Sequence, residues 1–127
     1  MIACGGGGIP VIEDERGDLV GMEAVIDKDL ASSLLARDLG ADLLLVSTGV
    51  EKIALNFNTP QQRWLDRITL DEARRLYAAN HFDPGSMGPK IRALIEFLEG
   101  GGKGLVTNPP NLGRALAGST GTRIVRH

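Results

Sequence analysis

Short apolar runs of strand length alternate along this chain with segments whose apolar residues recur at helical spacing, and no other feature limits the fold as sharply. Ile2–Cys4 and Ile9–Ile12 read as two strand-like pieces around Gly5-Gly6-Gly7-Gly8, and Leu19–Met22 as a return strand across a polar turn, giving a hairpin. Asp27 can cap a helix to about Leu39, with Leu30, Leu34, Leu35 and Leu39 as its apolar stripe and Gly40 ending it. Ala41–Ser47 and Val50–Phe57 read as buried strands separated by Thr48-Gly49. Thr69-Leu70-Asp71-Glu72 has the spacing of a capping box for a helix towards Ala79. Ile91, Leu94, Ile95 and Leu98 fall on one face of a further helix that Gly100-Gly101-Gly102 terminates. A strand over Gly104–Thr107, a short helix from Asn108-Pro109-Pro110-Asn111 to about Ala117 and a strand over Thr122–Arg126 complete the series. Such alternation, without internal repeat or low-complexity linker, predicts an α/β fold: a layered α/β/α sandwich around a mostly parallel sheet.

The 127 residues suit one domain, 1–127, with enough chain to bury a core. A hydrophobic share of 43%, a charged share of 24% and a net charge of −2 exclude disordered and fibrous classes and argue against nucleic acid as a partner. The longest apolar run, Leu43–Val46, falls far short of the roughly 20 residues of a membrane span, so no membrane partner is expected. Met1-Ile2-Ala3-Cys4 has neither the basic region nor the hydrophobic stretch of a secretory signal, and a cytoplasmic protein is expected. Cys4 cannot pair internally and reads as a small buried hydrophobe in a strand. His81 and His127 lack ligand spacing, so no metal-ligating residues are expected.

Two helix starts carry the charge pattern that points to chemistry. Lys90 follows Pro84-Gly85-Ser86-Met87-Gly88-Pro89 at the opening of its helix, where the helix dipole makes a cation unfavourable by roughly 0.3–1 kcal/mol relative to an acid. Backbone N–H groups, a lysine and flexible glycines at one point suit a phosphate-bearing ligand, although a solvated lysine after a Gly/Pro turn would leave the same trace. Asp27-Lys28-Asp29 sets a second lysine at a second helix start; there Asp27 has a capping role in any case, and Lys28 and Asp29 could equally form a solvated helix end. Phosphoryl transfer needs charge neutralisation and in-line positioning more than covalent help, and lysines held by a carboxylate can provide both. Gly5-Gly6-Gly7-Gly8 is no Walker A loop, since no Lys-Ser/Thr follows, and it lacks the dinucleotide spacing; it reads either as a tight strand exit or as a phosphate or substrate loop. Asp27 and Asp29 lack the glycine and distal glutamate of a calcium loop.

Three segments taken together, Ile2-Ala3-Cys4-Gly5-Gly6-Gly7-Gly8-Ile9-Pro10-Val11, Glu23-Ala24-Val25-Ile26-Asp27-Lys28-Asp29-Leu30-Ala31-Ser32 and His81-Phe82-Asp83-Pro84-Gly85-Ser86-Met87-Gly88-Pro89-Lys90, closely resemble the carbamate kinases of the amino acid kinase family. Ser47-Thr48-Gly49-Val50-Glu51-Lys52 is similar too, with Gly49 where many relatives carry Asp, and the likeness weakens from about Thr107 to Gly118. The resemblance implies reversible phosphoryl transfer between ATP and carbamate, giving ADP and carbamoyl phosphate, with Mg²⁺ as companion. In fermenting organisms the family commonly makes ATP at the end of arginine, agmatine or purine-derived degradation. It implies that Lys90 and Lys28 neutralise phosphoryl charge, that Asp29 orients them, and that Thr48, Gly49, Val50, Met87 and Gly88 border the nucleotide.

Relatives also carry a preceding carbamate-binding half with a further lysine, so the chain corresponds to the nucleotide-side, C-terminal half of the amino acid kinase fold. A homodimer, or a separate N-terminal half, is then the expected partner. The competing expectation is a non-catalytic nucleotide-binding or oligomerisation module. A third, a relative that phosphorylates a carboxylate or phosphonate, is disfavoured by the Asp27-Lys28-Asp29 triplet, because those branches generally lack the lysine.

Overall fold

In the computed structural model, which describes residues 2–127, strands and helices alternate around a mixed, mostly parallel sheet. The hairpin is β1 (Val11–Glu13) against β2 (Leu19–Gly21), antiparallel and separate from the main sheet. Helix α1 (Lys28–Asp38) leads to β3 (Leu43–Ser47). Then come β4 (Ile53–Leu55), β5 (Arg63–Leu65), β6 (Arg67–Thr69) and α2 (Leu70–Ala78). Helix α3 (Met87–Glu99) leads to β7 (Lys103–Thr107), a 3-10 turn (Pro109–Asn111), α4 (Leu112–Leu116) and β8 (Thr122–Val125). The main sheet runs β3-β7-β8-β6, with β3/β7 and β6/β8 parallel and β7/β8 antiparallel.

Helix α3 is the centre of the core because its apolar period is the cleanest in the chain. Ile91, Leu94 and Leu98 are fully buried, joined by Phe97 and Ile95, and each is worth roughly 1.5–3 kcal/mol of burial. They pack on Val46, Val106 and Ile124 of the sheet and on Ile68, Leu70 and Ala73 near α2. A side chain at Gly104 would strike Leu94, Leu98 and Ile124, so that glycine lets α3 lie close on β7. The next residue, Leu105, points to the opposite face, where it meets Ala115 of α4 around Gly121.

Four expectations are corrected. The segment Val50–Phe57 is not one long strand: β4 covers only Ile53–Leu55, ended by Asn56 in a left-handed conformation at φ +50°. It pairs antiparallel with β5, outside the main sheet, and is tied to β8 by the buried Thr122, whose hydroxyl accepts from Ile53 N–H and donates to the Leu65 carbonyl. Ile2–Cys4 forms no strand, and Cys4 is half-buried at φ +64° rather than buried in one. The leucine stripe of α1 packs only in part, with Leu30 and Leu35 half-buried and Leu34 and Leu39 exposed, while the fully buried residue is Ser33. There α1 meets α3 through small residues, Ser33 and Ala93, close enough for the Ser33 hydroxyl to donate to the Ala93 carbonyl at 2.7 Å. Lys90 is not the first residue of α3, which begins three residues earlier at Met87.

Candidate active site

Helices α1 and α3 each run into a strand through a short connection, Leu39–Asp42 and Gly100–Gly102, and those strands, β3 and β7, are parallel neighbours. Both helices therefore start at the end of the sheet where β3 and β7 finish. Ligand crevices of α/β sheets form at the carboxyl ends of parallel strands.

At that end the side chain of Asp27 caps α1, accepting from the backbone N–H groups of Asp29 (2.8 Å) and Leu30 (3.0 Å). With the first turn held, Asp29 points towards α3. Its Oδ2 accepts from Lys28 Nζ at 3.2 Å and from Lys90 Nζ at 3.2 Å. Lys90 Nζ also donates to the Ser86 carbonyl at 3.3 Å. Asp29 and Lys90 are largely buried, with side-chain exposures of 14% and 16%, whereas Lys28 is 57% exposed. The trio of two ammonium groups and one carboxylate carries one excess positive charge, with the Asp27 carboxylate standing at the same start of α1. The start of α3 adds to the positive charge, since its first turn has no acid and its N-cap, Ser86, makes no side-chain cap. The arrangement suits an anion with several oxygens, which could take over ammonium hydrogens from Asp29.

The other expected site residues lie in three further segments of the chain. Met87 and Gly88 share the first turn of α3 with Lys90; Met87 packs against the core, and a Cβ on Gly88 would come within 3.0 Å of the Asp83 carbonyl. Thr48, whose N–H donates to the Thr107 carbonyl at 2.8 Å, opens the turn after β3 with Gly49 and Val50. Gly49 faces open space. In the glycine run, Gly7 at φ +126° lies so close to the Ile26 carbonyl that no side chain fits, while Gly5, Gly6 and Gly8 have room. The run therefore lies against the chain just before the Asp27 cap. Ser33, one turn beyond Asp29 on α1, escaped sequence reasoning because a serine inside a leucine-rich helix carries no periodic signal.

The amino acid kinase family model matches residues 2–108. The chain belongs to the amino acid kinase family. It is 50% identical over 127 residues to the carbamate kinase-like protein YahI of Escherichia coli, covering 99% of this chain and 40% of that protein. It is 48% identical to the carbamate kinase of Thermococcus kodakarensis, again over 99% of this chain and 40% of the relative. The solved structure of Giardia lamblia carbamate kinase bound to AMP-PNP superposes with a TM-score of 0.90 at 43% identity, over 96% of this chain and 43% of that one. The chain thus spans about 40% of the length of the curated relatives it matches. Among the described residues no helix is long and apolar enough to cross a membrane.

Proposed function

We propose that this chain is the nucleotide-side half of a carbamate kinase-type phosphotransferase, acting in reversible transfer of a phosphoryl group between ATP and carbamate. The observation that carries the reading is the shared carboxylate oxygen of Asp29, with Lys28 Nζ and Lys90 Nζ each 3.2 Å away. Sequence neighbours named as carbamate kinases, one of them solved with an ATP analogue, support the choice of donor and acceptor. On this reading residues 1–127 form one unit, and the carbamate-binding half lies outside it.

Asp29 keeps the two ammonium groups together before a nucleotide arrives. The terminal phosphate oxygens then draw them away, Lys90 from the start of α3 and Lys28 from the start of α1. Both neutralise the charge that spreads over the equatorial oxygens of the moving phosphoryl group. Thr48, Gly49 and Val50 border the nucleotide from the end of β3, with Met87 and Gly88 on the α3 side, and the glycine run lies towards the acceptor. Mg²⁺, on this reading, is held mainly by phosphate oxygens and water. With a cytoplasmic nucleotide as substrate, the cytoplasm is the compartment of the reaction.

Calorimetry with ADP tests the nucleotide side: binding by the unaltered chain, lost in Lys90→Ala, is the expected result. ATP formation from carbamoyl phosphate and ADP, assayed with and without a separately expressed N-terminal half of a relative, tests the chemistry. Activity only in the mixture is expected. Silence from both samples, with both parts folded and ADP bound, favours the second reading of a non-catalytic nucleotide-binding module, to which the 40% span lends weight.

A further inference from the structure

We propose that Ser33 is a positioning residue for the lysine pair, an inference that rests on the phosphate-binding reading of Lys28, Asp29 and Lys90. Ser33 lies four residues after Asp29 on α1, and Ala93 lies three after Lys90 on α3. The Asp29–Lys90 ion pair and the Ser33–Ala93 hydrogen bond are thus successive rungs between the two helices, one turn apart. Apolar contacts between helices tolerate small slides and rotations, but a hydrogen bond from a fully buried hydroxyl to a main-chain carbonyl does not. Ser33 is only 1% exposed and Ala93 only 1%, so water cannot substitute for the missing partner. The bond sets the stagger of α1 on α3 and with it the distance between Asp29 and Lys90, 61 residues apart in sequence. Apart from Asp29, whose bond to Lys90 is the one being positioned, Ser33 is among the described residues the buried polar side chain of α1, and its bond crosses to α3.

The test compares Ser33→Ala with Ile124→Val, a core change in β8 that removes packing without touching α1. ADP affinity is read by calorimetry, and the Lys90 Nζ resonance is read by NMR on the ligand-free chain labelled with ¹⁵N-lysine. In Ser33→Ala the Lys90 signal should move towards its position in Asp29→Asn, where the carboxylate is gone, and ADP affinity should fall roughly two- to tenfold, the range of one hydrogen bond. Ile124→Val should leave both readouts unchanged. If Ser33→Ala does not fold, Ser33→Cys fills the site with a slightly larger side chain and a weak donor and should give an intermediate displacement of the signal. An unmoved Lys90 signal in whichever of these variants folds overturns the positioning role. Failure of the unaltered chain to bind ADP would instead remove the nucleotide reading, while the ligand-free Lys90 signal would still decide whether Ser33 sets the pair.

Discussion

Lys28 and Lys90 share one carboxylate oxygen yet stand in different surroundings, so they should answer differently to removal. Lys28 is mostly in water, and its ion pair contributes little; Lys28→Ala is expected to change unfolding free energy by less than about 0.5 kcal/mol in chemical denaturation. Lys90 lies over the largely buried Asp29, so Lys90→Ala should cost more stability as well as abolishing ADP binding. Asp29→Asn keeps the shape but removes the charge that gathers the ammonium groups, and any ATP formation by the proposed mixture with the N-terminal half of a relative should drop by about tenfold or more. Equal activity in Asp29→Asn would show that the carboxylate does not organise the pair. The residue types here were readable in advance, since a lysine at a helix start is an unfavourable placement that asks for an anion. Which carboxylate oxygen they share was not readable, because it depends on how closely α1 approaches α3.

Helix α2 shows an element whose limits are written in its own residues. Thr69 Oγ1 accepts from Glu72 N–H at 3.2 Å, and Glu72 Oε2 accepts from Thr69 N–H at 2.7 Å, the reciprocal pair expected from the spacing. The Thr69 N–H, together with the Thr69 hydroxyl that also donates to Glu72 Oε2 at 2.9 Å, holds the Glu72 carboxyl below its usual range. A carboxylate depressed in the folded state stabilises above its unfolded value near 4.5, and that contribution disappears as pH falls through the lower folded value. Thr69→Ala should lower the thermal midpoint by roughly 3–5 °C at neutral pH and shrink the acid-side fall in stability attributable to Glu72, as read by melting curves across pH 2.5 to 6. The end of α3 is decided differently. A side chain at Gly102 would run into the ring of the buried Phe97, so Gly102→Ala should destabilise by about 1–3 kcal/mol, measured by denaturant unfolding. A glycine triplet announces a helix end; that one of the three is required by a ring packed over it is a tertiary fact. For the same reason the serine of α1 outranks its leucines, because the partner helix, not the period, chooses the buried face.

Across the whole molecule, α1, α2 and α3 share one side of the sheet, and α4 lies on the other with Leu43 and Leu116 exposed. The separate β1/β2 hairpin leaves Leu19 and Met22 exposed, as are Ile9 and Val25 beside it. On the proposed reading, mixing with the N-terminal half of a relative should cover part of this surface and raise the thermal midpoint measurably. The alternation of apolar periods was sufficient for the α/β class, and cap and turn residues for the two lysine-bearing helix starts and the capping box, because these signals lie within one or two turns. Strand order, the antiparallel pairing of β7 with β8 and the detachment of the β4/β5 hairpin came only with the tertiary structure. Partners in a sheet are chosen by contacts between distant residues, such as Thr122 with Ile53 and Leu65, and no local period encodes them. The gathering of Lys28, Asp29 and Lys90 stands between the two: local residues supply the charges, and the close packing of two helices brings them to one oxygen.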